Sequence, residues 1–473
     1  MRSQLADRLT DRGRGWLTPG LLALTVGIYA LVITGAVTSL ADASAACSSW
    51  PTCTGTPTDA FADRDLAIAI VHRIVTLVTF GLLLGTTAIA WLTDAPRGVR
   101  YTIVGVLVVF PIQMGIGALT VSTGGSELLS AIHLLLAMAI FAGGLVALLY
   151  WLEWDTRQVE STFVDVDDAE EVRRPVHGTD VDRHPSRLRA YFTMTKPRLM
   201  WLLSIVALAG IGLAAATTGV VVPASVIGGT LLGGVLAIGA SGTFNHVLER
   251  DIDRQMARTA DRPMPQSAVP ARNAVIFGGL LAFASIATFL VFTNALAAGL
   301  GLVAIAFYSV VYTLVLKPNT TQNIVIGGAV GAFPAIIGWA AVTGSIGLPA
   351  VILGLVIFLW TPAHFYNLAL VYQRDYERGG FPMLPLVRGE LVTRRHIVLY
   401  AGATLVSLGV LGATADLGLI YGATAILAGG GFLVTIVHLY ESQTPTAAMR
   451  AFHASNAFLG VIMLVIILET IIL

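Results

Sequence analysis

The apolar run 223–244 opens into Asn245-His-Val-Leu-Glu249-Arg-Asp251-Ile-Asp253-Arg-Gln-Met-Ala-Arg258-Thr259, and the fold turns on how that junction is read. If the helix of the apolar run continues, Asn245, Glu249 and Asp253 recur every four residues and share one face. Arg250, Arg254, Arg258 and Arg262 are interleaved with them. Carboxylates that converge at the mouth of a membrane helix, with guanidinium groups beside them, suit Mg²⁺ and pyrophosphate better than they suit lipid. The competing reading is a solvated loop whose arginines merely hold it in the cytoplasm.

Outward from that junction, the same alternation of apolar run and short polar break fills the chain. Its 473 residues are 56% hydrophobic and only 12% charged, with a mean hydropathy of +0.80. No soluble core of this size needs such uninterrupted runs, so the chain reads as an all-α polytopic membrane protein. Runs near 19–40, 66–92, 100–121, 127–151, 199–216, 223–244, 273–292, 295–316, 323–343, 347–372, 397–413, 417–440 and 454–473 predict thirteen helices. The pair within 273–316 is open to a different division. The first run is too long for a signal peptide and is read as a retained helix.

Formal net charge is zero, so whole-protein electrostatics names no partner, and no nucleic-acid partner is expected. The distribution of charge says more. Arg2, Arg8, Arg12 and Arg14 precede the first run, which puts the N-terminus in the cytoplasm, and Asp42, Asp59, Asp63 and Asp65 follow it outside. Carried forward, the alternation puts 152–198, 245–272, 317–322, 373–396 and 441–450 inside, and the odd number of spans leaves the C-terminus outside. Cys47 and Cys53, the chain's two cysteines, fall in the first external loop. A disulfide is permitted there, and two free thiols are the alternative.

Residues 152–190 are charged and too polar to pack, and read as a cytoplasmic linker. They separate a four-helix membrane module, 1–151, from a larger bundle of about nine helices, 191–473. In the larger module two further cytoplasmic segments carry polar chemistry. One is Tyr312-Thr-Leu-Val-Leu-Lys317-Pro-Asn319, followed by Gln322-Asn323. The other runs from Trp360-Thr-Pro362-Ala-His364-Phe-Tyr366-Asn367 through Asp375-Tyr376 to Gly380-Phe-Pro382-Met-Leu-Pro385. On a continuous helix Asp375 lies roughly 16 Å beyond His364, which places a histidine inside the bilayer and a carboxylate at its rim. An intramembrane histidine is either functional or a hydrogen-bonded structural residue.

Taken in order, these segments resemble the haem O synthases (protohaem IX farnesyltransferases) of the UbiA superfamily of intramembrane prenyltransferases. Met194-Thr195-Lys196-Pro197-Arg198 is similar to that family's entry to its first helix, and the Asn245–Thr259 segment to its first acidic motif, with Glu249 where many relatives have Asp. The segments around Lys317 and His364 resemble the second and third signatures. Pro318 stands where a second basic residue is usual, and Ala363 where a second proline is usual. The resemblance covers roughly 187–473. It implies transfer of a farnesyl group from farnesyl diphosphate to a vinyl group of haem B, with Asn245, Glu249, Asp253 and Asp375 holding Mg²⁺–diphosphate. Lys196, Arg250, Arg258 and Lys317 are then diphosphate or haem-propionate contacts, and His364 the residue on the haem side. The lipid bilayer surrounds the site, and haem A synthase or terminal-oxidase assembly factors are the implied protein partners.

His72 and His133 each lie six residues inside their predicted helices. Equal depth on neighbouring helices permits bis-imidazole haem ligation, and buried core histidines are the alternative. This smaller module resembles half of a haem A synthase through Ile33-Thr34-Gly35, the Cys47–Cys53 loop, His72-Arg73 and His133. That family's catalytic half carries a glutamate three residues before the first histidine, where this chain has Ala69. With that departure the resemblance implies a haem-binding, haem-delivering or degenerate module rather than one that oxidises haem O to haem A. Two other readings stay open for the whole chain: a UbiA-type transferase acting on a quinone or lipid, and a haem-carrying electron-transfer or transport protein.

Overall fold

The structure is a computed structural model that describes residues 2–40, 63–123, 127–158 and 186–472. Cys47, Cys53 and most of the 152–190 linker lie outside the described residues. Among the described residues there is no strand, and 13 helices are long and apolar enough to cross a membrane. The thirteen runs predicted from the sequence correspond to them, and the doubtful pair divides between Phe292 and Ala295.

Side chains and glycines set the helix ends. Asp63 accepts from the amides of Asp65 and Leu66 to start Arg64–Leu92, and Asn294 accepts from Ala297 to start Ala295–Ala306. Such caps satisfy amides that have no partner in the first turn. Gly219 and Gly344 close Pro197–Thr218 and Ala329–Thr343 in the left-handed conformation that glycine adopts without strain.

By contacts the chain divides into two compact units, Met1–Val159 with Ala401–Ser442, and Glu160–Tyr400 with Gln443–Leu473. In the first unit, Arg2–Leu40 packs on Arg64–Leu92, Glu127–Asp155 and Leu419–Ser442. Close approach there depends on small residues. A Cβ on Gly409 would lie 2.8 Å from Val32, and one on Gly429 would lie 2.8 Å from Tyr29.

In the second unit, Ala224–Leu248 packs along Ala271–Phe292, and Pro197–Thr218 along Ala329–Thr343. The latter pair touches backbone to backbone. A Cβ on Gly210 would collide with the Ala335 carbonyl, and one on Gly338 with the Ala207 carbonyl. Where no hydrophobic force separates helix from lipid, such small-residue contacts supply the van der Waals packing. The helices converge on the end that carries Asn245, where the connecting segments 249–270 and 372–389 cover the bundle.

Candidate active site

The helix Ala224–Leu248 ends at Leu248, and a short turn, Arg250–Asp253, follows. The break is slight. Glu249 N–H still donates to the Asn245 carbonyl at 2.9 Å, and Asp253 N–H to the Glu249 carbonyl at 2.7 Å. The four-residue spacing therefore keeps its meaning through the bend, and Asn245, Glu249 and Asp253 are all buried on one polar cavity of about 360 Å³. Lys196, Arg258, Arg262, Lys317, Tyr308 and Tyr312 complete its polar lining. Four cations against two carboxylates leave this lining net positive by two, which is an anion site before any metal is considered.

Each buried oxygen donor is held by a cation. Lys317 Nζ meets Glu249 Oε1 at 2.5 Å, and Arg262 Nη1 donates to both carboxylate oxygens of Asp253 at 2.9 Å. Lys196 Nζ donates to Asn245 Oδ1 and, at 3.1 Å, to the Tyr308 hydroxyl. Asn245 Nδ2 donates to Thr313 Oγ at 3.2 Å, which fixes the amide so that Oδ1 faces Lys196. Burial pushes the Glu249 carboxyl up, but the charges of Lys317, Lys196 and Arg262 outweigh it and hold the group below its ordinary 4.5.

Local backbone geometry serves these contacts. Lys196 sits at φ 54°, ψ 54°, a left-handed conformation that the following Pro197 also disfavours. Strain of this kind costs on the order of 1–3 kcal/mol and persists where surrounding contacts impose it. Here the bonds from Lys196 to Asn245 and Tyr308 do so. Residues Phe307–Leu316 form a π-helical stretch, in which Thr313 Oγ donates to the Tyr308 carbonyl five residues back. The wider turn stacks Tyr308 on Tyr312 with ring centroids 5.5 Å apart, beside the cavity.

Three residues expected in the site, Arg250, Asp375 and His364, are absent from the cavity lining. Arg250 is 44% exposed and pairs with Asp251 at 3.4 Å; the turn that follows Asp253 brings Arg262 in instead. Leu348–Val371 passes into Gln373–Arg378 through a bend at Tyr372, across which Tyr372 N–H still donates to the Leu368 carbonyl and Tyr376 N–H to the Tyr372 carbonyl. The two oxygens of Asp375 accept from the backbone amides of Ala257 and Arg258, each at 3.0 Å. Asp375 thus clamps the loop that carries Arg258, whose guanidinium lies 4.7 Å from the Tyr372 ring centroid and 5.5 Å from that of Tyr376. Gly380, at φ 68°, ends the Asp375 helix and turns the chain so that Phe381 lies 4.4 Å from Lys317 Nζ.

His364 lies in neither cavity. Trp360 and Phe452 cover its faces at centroid distances of 4.3 and 4.2 Å, and its Nδ1 shares a 2.6 Å hydrogen bond with Ser455 Oγ. That is the packed, hydrogen-bonded alternative of the sequence reading.

A second cavity of about 770 Å³ shares Lys196 and Tyr308 with the polar one. Leu199, Leu203, Ala237, Ile238, Phe333 and Ile337 make its lining almost wholly apolar. A charged head group and a hydrocarbon tail would thus find adjoining compartments with one doorway. Arg262, Tyr308 and Tyr312 were not picked out as site residues from the sequence. The π-helical turn and the path of the loop after Asp253 have no periodic signal.

In the first unit, Thr34 Oγ donates to the Ala30 carbonyl at 2.8 Å and contacts His72 Nδ1 at 3.0 Å. With the hydroxyl proton so used, His72 Nδ1 is the protonated nitrogen and Nε2 is left as a lone-pair donor. His133 Nδ1 is buried with no hydrogen-bond partner. Gly35 and Gly117 lie against the two rings: a Cβ there would come within 3.4 Å of His72 Cε1 and 3.0 Å of His133 Cε1.

The family model described as the UbiA prenyltransferase family matches residues 203–462. A relative from Natronomonas pharaonis, "Protoheme IX farnesyltransferase 1", is 52% identical over 458 residues, covering 95% of this chain and 98% of its own. The "Protoheme IX farnesyltransferase" of Haloarcula marismortui is 51% identical over 467 residues, covering 95% and 97%. Among solved structures, a digeranylgeranylglyceryl phosphate synthase aligns with a TM-score of 0.50 at 16% identity, over 61% of this chain and 100% of that one.

Proposed function

The chain belongs to the UbiA prenyltransferase family, and from that membership we propose that it transfers a farnesyl group from farnesyl diphosphate to a vinyl carbon of haem B, giving haem O and diphosphate. One observation carries the chemistry. A buried polar cavity, net positive by two, opens through Lys196 and Tyr308 onto an apolar chamber. The farnesyl C1–O bond sits at that doorway: its electron pair leaves with the diphosphate, and the vinyl group's π pair forms the bond to C1. A water oxygen adds to the vinyl carbon left electron-deficient, with loss of a proton, so that haem B, farnesyl diphosphate and water give haem O, diphosphate and a proton. Lys196, Lys317, Arg258 and Arg262 donate to the diphosphate oxygens as charge builds on them, in a site that needs no reorganisation at that moment. The apolar chamber keeps water from C1.

The donor set also fits Mg²⁺. Asn245 Oδ1 and the carboxylates of Glu249 and Asp253 are hard oxygen donors, and two carboxylates with substrate phosphates form the usual Mg²⁺ environment. When bound, Mg²⁺ neutralises part of the charge on the leaving diphosphate. Asp375 supports the site by holding the Ala257–Arg258 backbone rather than from within the cavity.

Residues 191–473 then act as the transferase domain and 1–151 as a haem-holding module. His72 Nε2 and His133 would hold the iron, with Thr34 orienting the first imidazole. The chain is a multi-pass membrane protein, with its N-terminus and the polar cavity on the cytoplasmic side of the cell membrane. Membranes containing the protein should convert haem B, farnesyl diphosphate and Mg²⁺ to haem O, and Asp253→Ala should abolish conversion. Prenylation of an added quinone with haem B untouched would replace this reading with that of a quinone transferase.

A further inference from the structure

The apolar chamber has a measurable length. Its lining on the helix Ala224–Leu248 runs from Gly242 at the doorway through Ala237 and Gly234 to Thr230. At 1.5 Å per residue the eight residues from Gly242 to Gly234 span about 12 Å, and the twelve to Thr230 about 18 Å. The facing helix Pro197–Thr218 gives the same scale, because Lys196 to Ala207 is eleven residues, or about 16 Å. An extended chain gains about 1.2 Å per bond, so the main chain of a geranyl group spans about 8 Å, of a farnesyl about 13 Å and of a geranylgeranyl about 18 Å.

Gly234 marks the depth at which a farnesyl group ends and a geranyl group has already stopped. A Cβ at Gly234 would meet nothing within 4 Å, so this glycine borders the cavity's empty space. Below it the lining continues to Thr230, about 18 Å from Gly242 and deep enough for a geranylgeranyl chain as well. We propose that Gly234 is the position that admits the third isoprene unit to this site: its missing side chain leaves room where a farnesyl group extends beyond a geranyl one. The inference rests on the prenyl transfer proposed above, but it concerns the donor alone and is independent of the acceptor.

Binding of geranyl, farnesyl and geranylgeranyl diphosphates, with Mg²⁺, to the purified full chain tests it by calorimetry. The wild type should bind farnesyl diphosphate at least tenfold more tightly than geranyl diphosphate. Gly234→Ala should change little, while Gly234→Val and Gly234→Leu should weaken farnesyl and geranylgeranyl binding progressively, by more than tenfold for leucine, and leave geranyl binding within about twofold. Equal losses for geranyl and farnesyl diphosphate across the Gly234 series overturn the proposal, as does farnesyl binding left unchanged by leucine. Selective binding by a wild type that makes no haem O would leave the ruler standing and sink the haem acceptor instead.

Discussion

Replacing Lys317 by methionine separates what the buried pair does for stability from what it does for the substrate. Lys317 Nζ and Glu249 Oε1 are 2.5 Å apart, with the two side chains 15% and 5% exposed. Removing one partner of such a pair leaves the other as a buried charge, at a cost of about 3–5 kcal/mol. The lower end applies, because Lys196 and Arg262 still act on Glu249. Lys317→Met should therefore lose about 3 kcal/mol. It should also lower turnover roughly 10²- to 10³-fold if Lys317 donates to the leaving diphosphate.

The double variant Glu249→Gln/Lys317→Met removes both charges, so most of the stability should return while turnover stays low. Apparent melting temperature in detergent and initial rates of haem O formation read the two effects. The pH dependence supplies a third reading. A carboxylate held below its ordinary value contributes stability that is present above the unfolded value, here 4.5, and lost as pH falls through the folded one. Without Lys317 the Glu249 carboxyl moves up towards its unfolded value, so the acid destabilisation that Glu249 contributes should shrink, and the stability deficit of Lys317→Met against the wild type should narrow as pH falls. A double variant as unstable as the single one refutes the stability argument. Turnover of Lys317→Met within tenfold of the wild type refutes the catalytic one.

Three further outcomes follow from the geometry. Asp375→Ala frees the Ala257 and Arg258 amides and should raise KM for farnesyl diphosphate more than it lowers kcat, with a stability loss of about 1–3 kcal/mol; a kcat loss at unchanged KM would instead mark Asp375 as a direct participant. The full chain should show a low-spin haem spectrum that His72→Ala and His133→Ala each remove, and no conversion of haem O to haem A; a spectrum surviving both substitutions counts against the pair as ligands. In sealed cells, single cysteines at Gln266 and Gly389, placed in a background lacking Cys47 and Cys53, should resist impermeant thiol reagents added outside, and ready labelling at either would contradict a cytoplasmic cavity.

Much of this site was legible because helices carry period and hydropathy through the membrane and caps mark where they stop. Asn245, Glu249 and Asp253 could be read together because the hydrogen-bond ladder survives the bend at Glu249. Where the ladder ends, spacing stops being informative. Arg250 and Arg262 are equivalent as letters in an acidic segment, and only the folded-back loop chooses between them. Thr259 Oγ donates to the Asp253 carbonyl and Arg254 to the Pro265 carbonyl, and those two closures bring Arg262 onto Asp253. At Tyr372 the ladder survives as it does at Glu249, and what the sequence could not show for Asp375 is that the amides of Ala257 and Arg258, 117 and more residues away, take its oxygens. His364 had one local clue, Trp360 one turn before it, but Phe452 and Ser455 come from a helix far along the chain.

The same geometry explains why Pro318, where a second basic residue is usual, leaves the anion site intact. Four cations reach the cavity from three separate segments, with Lys196 before the first helix of the larger module, Arg258 and Arg262 in the loop after Asp253, and Lys317 after the π-helical turn. Each is positioned by a contact of its own: Tyr308 for Lys196, Tyr372 and Tyr376 for Arg258, Asp253 for Arg262, and Glu249 with Phe381 for Lys317. Charge gathered in this way from different segments does not depend on two adjacent basic letters. Position 318 lies beyond a cluster that already outnumbers its carboxylates two to one. A proline there costs the site no cation it uses.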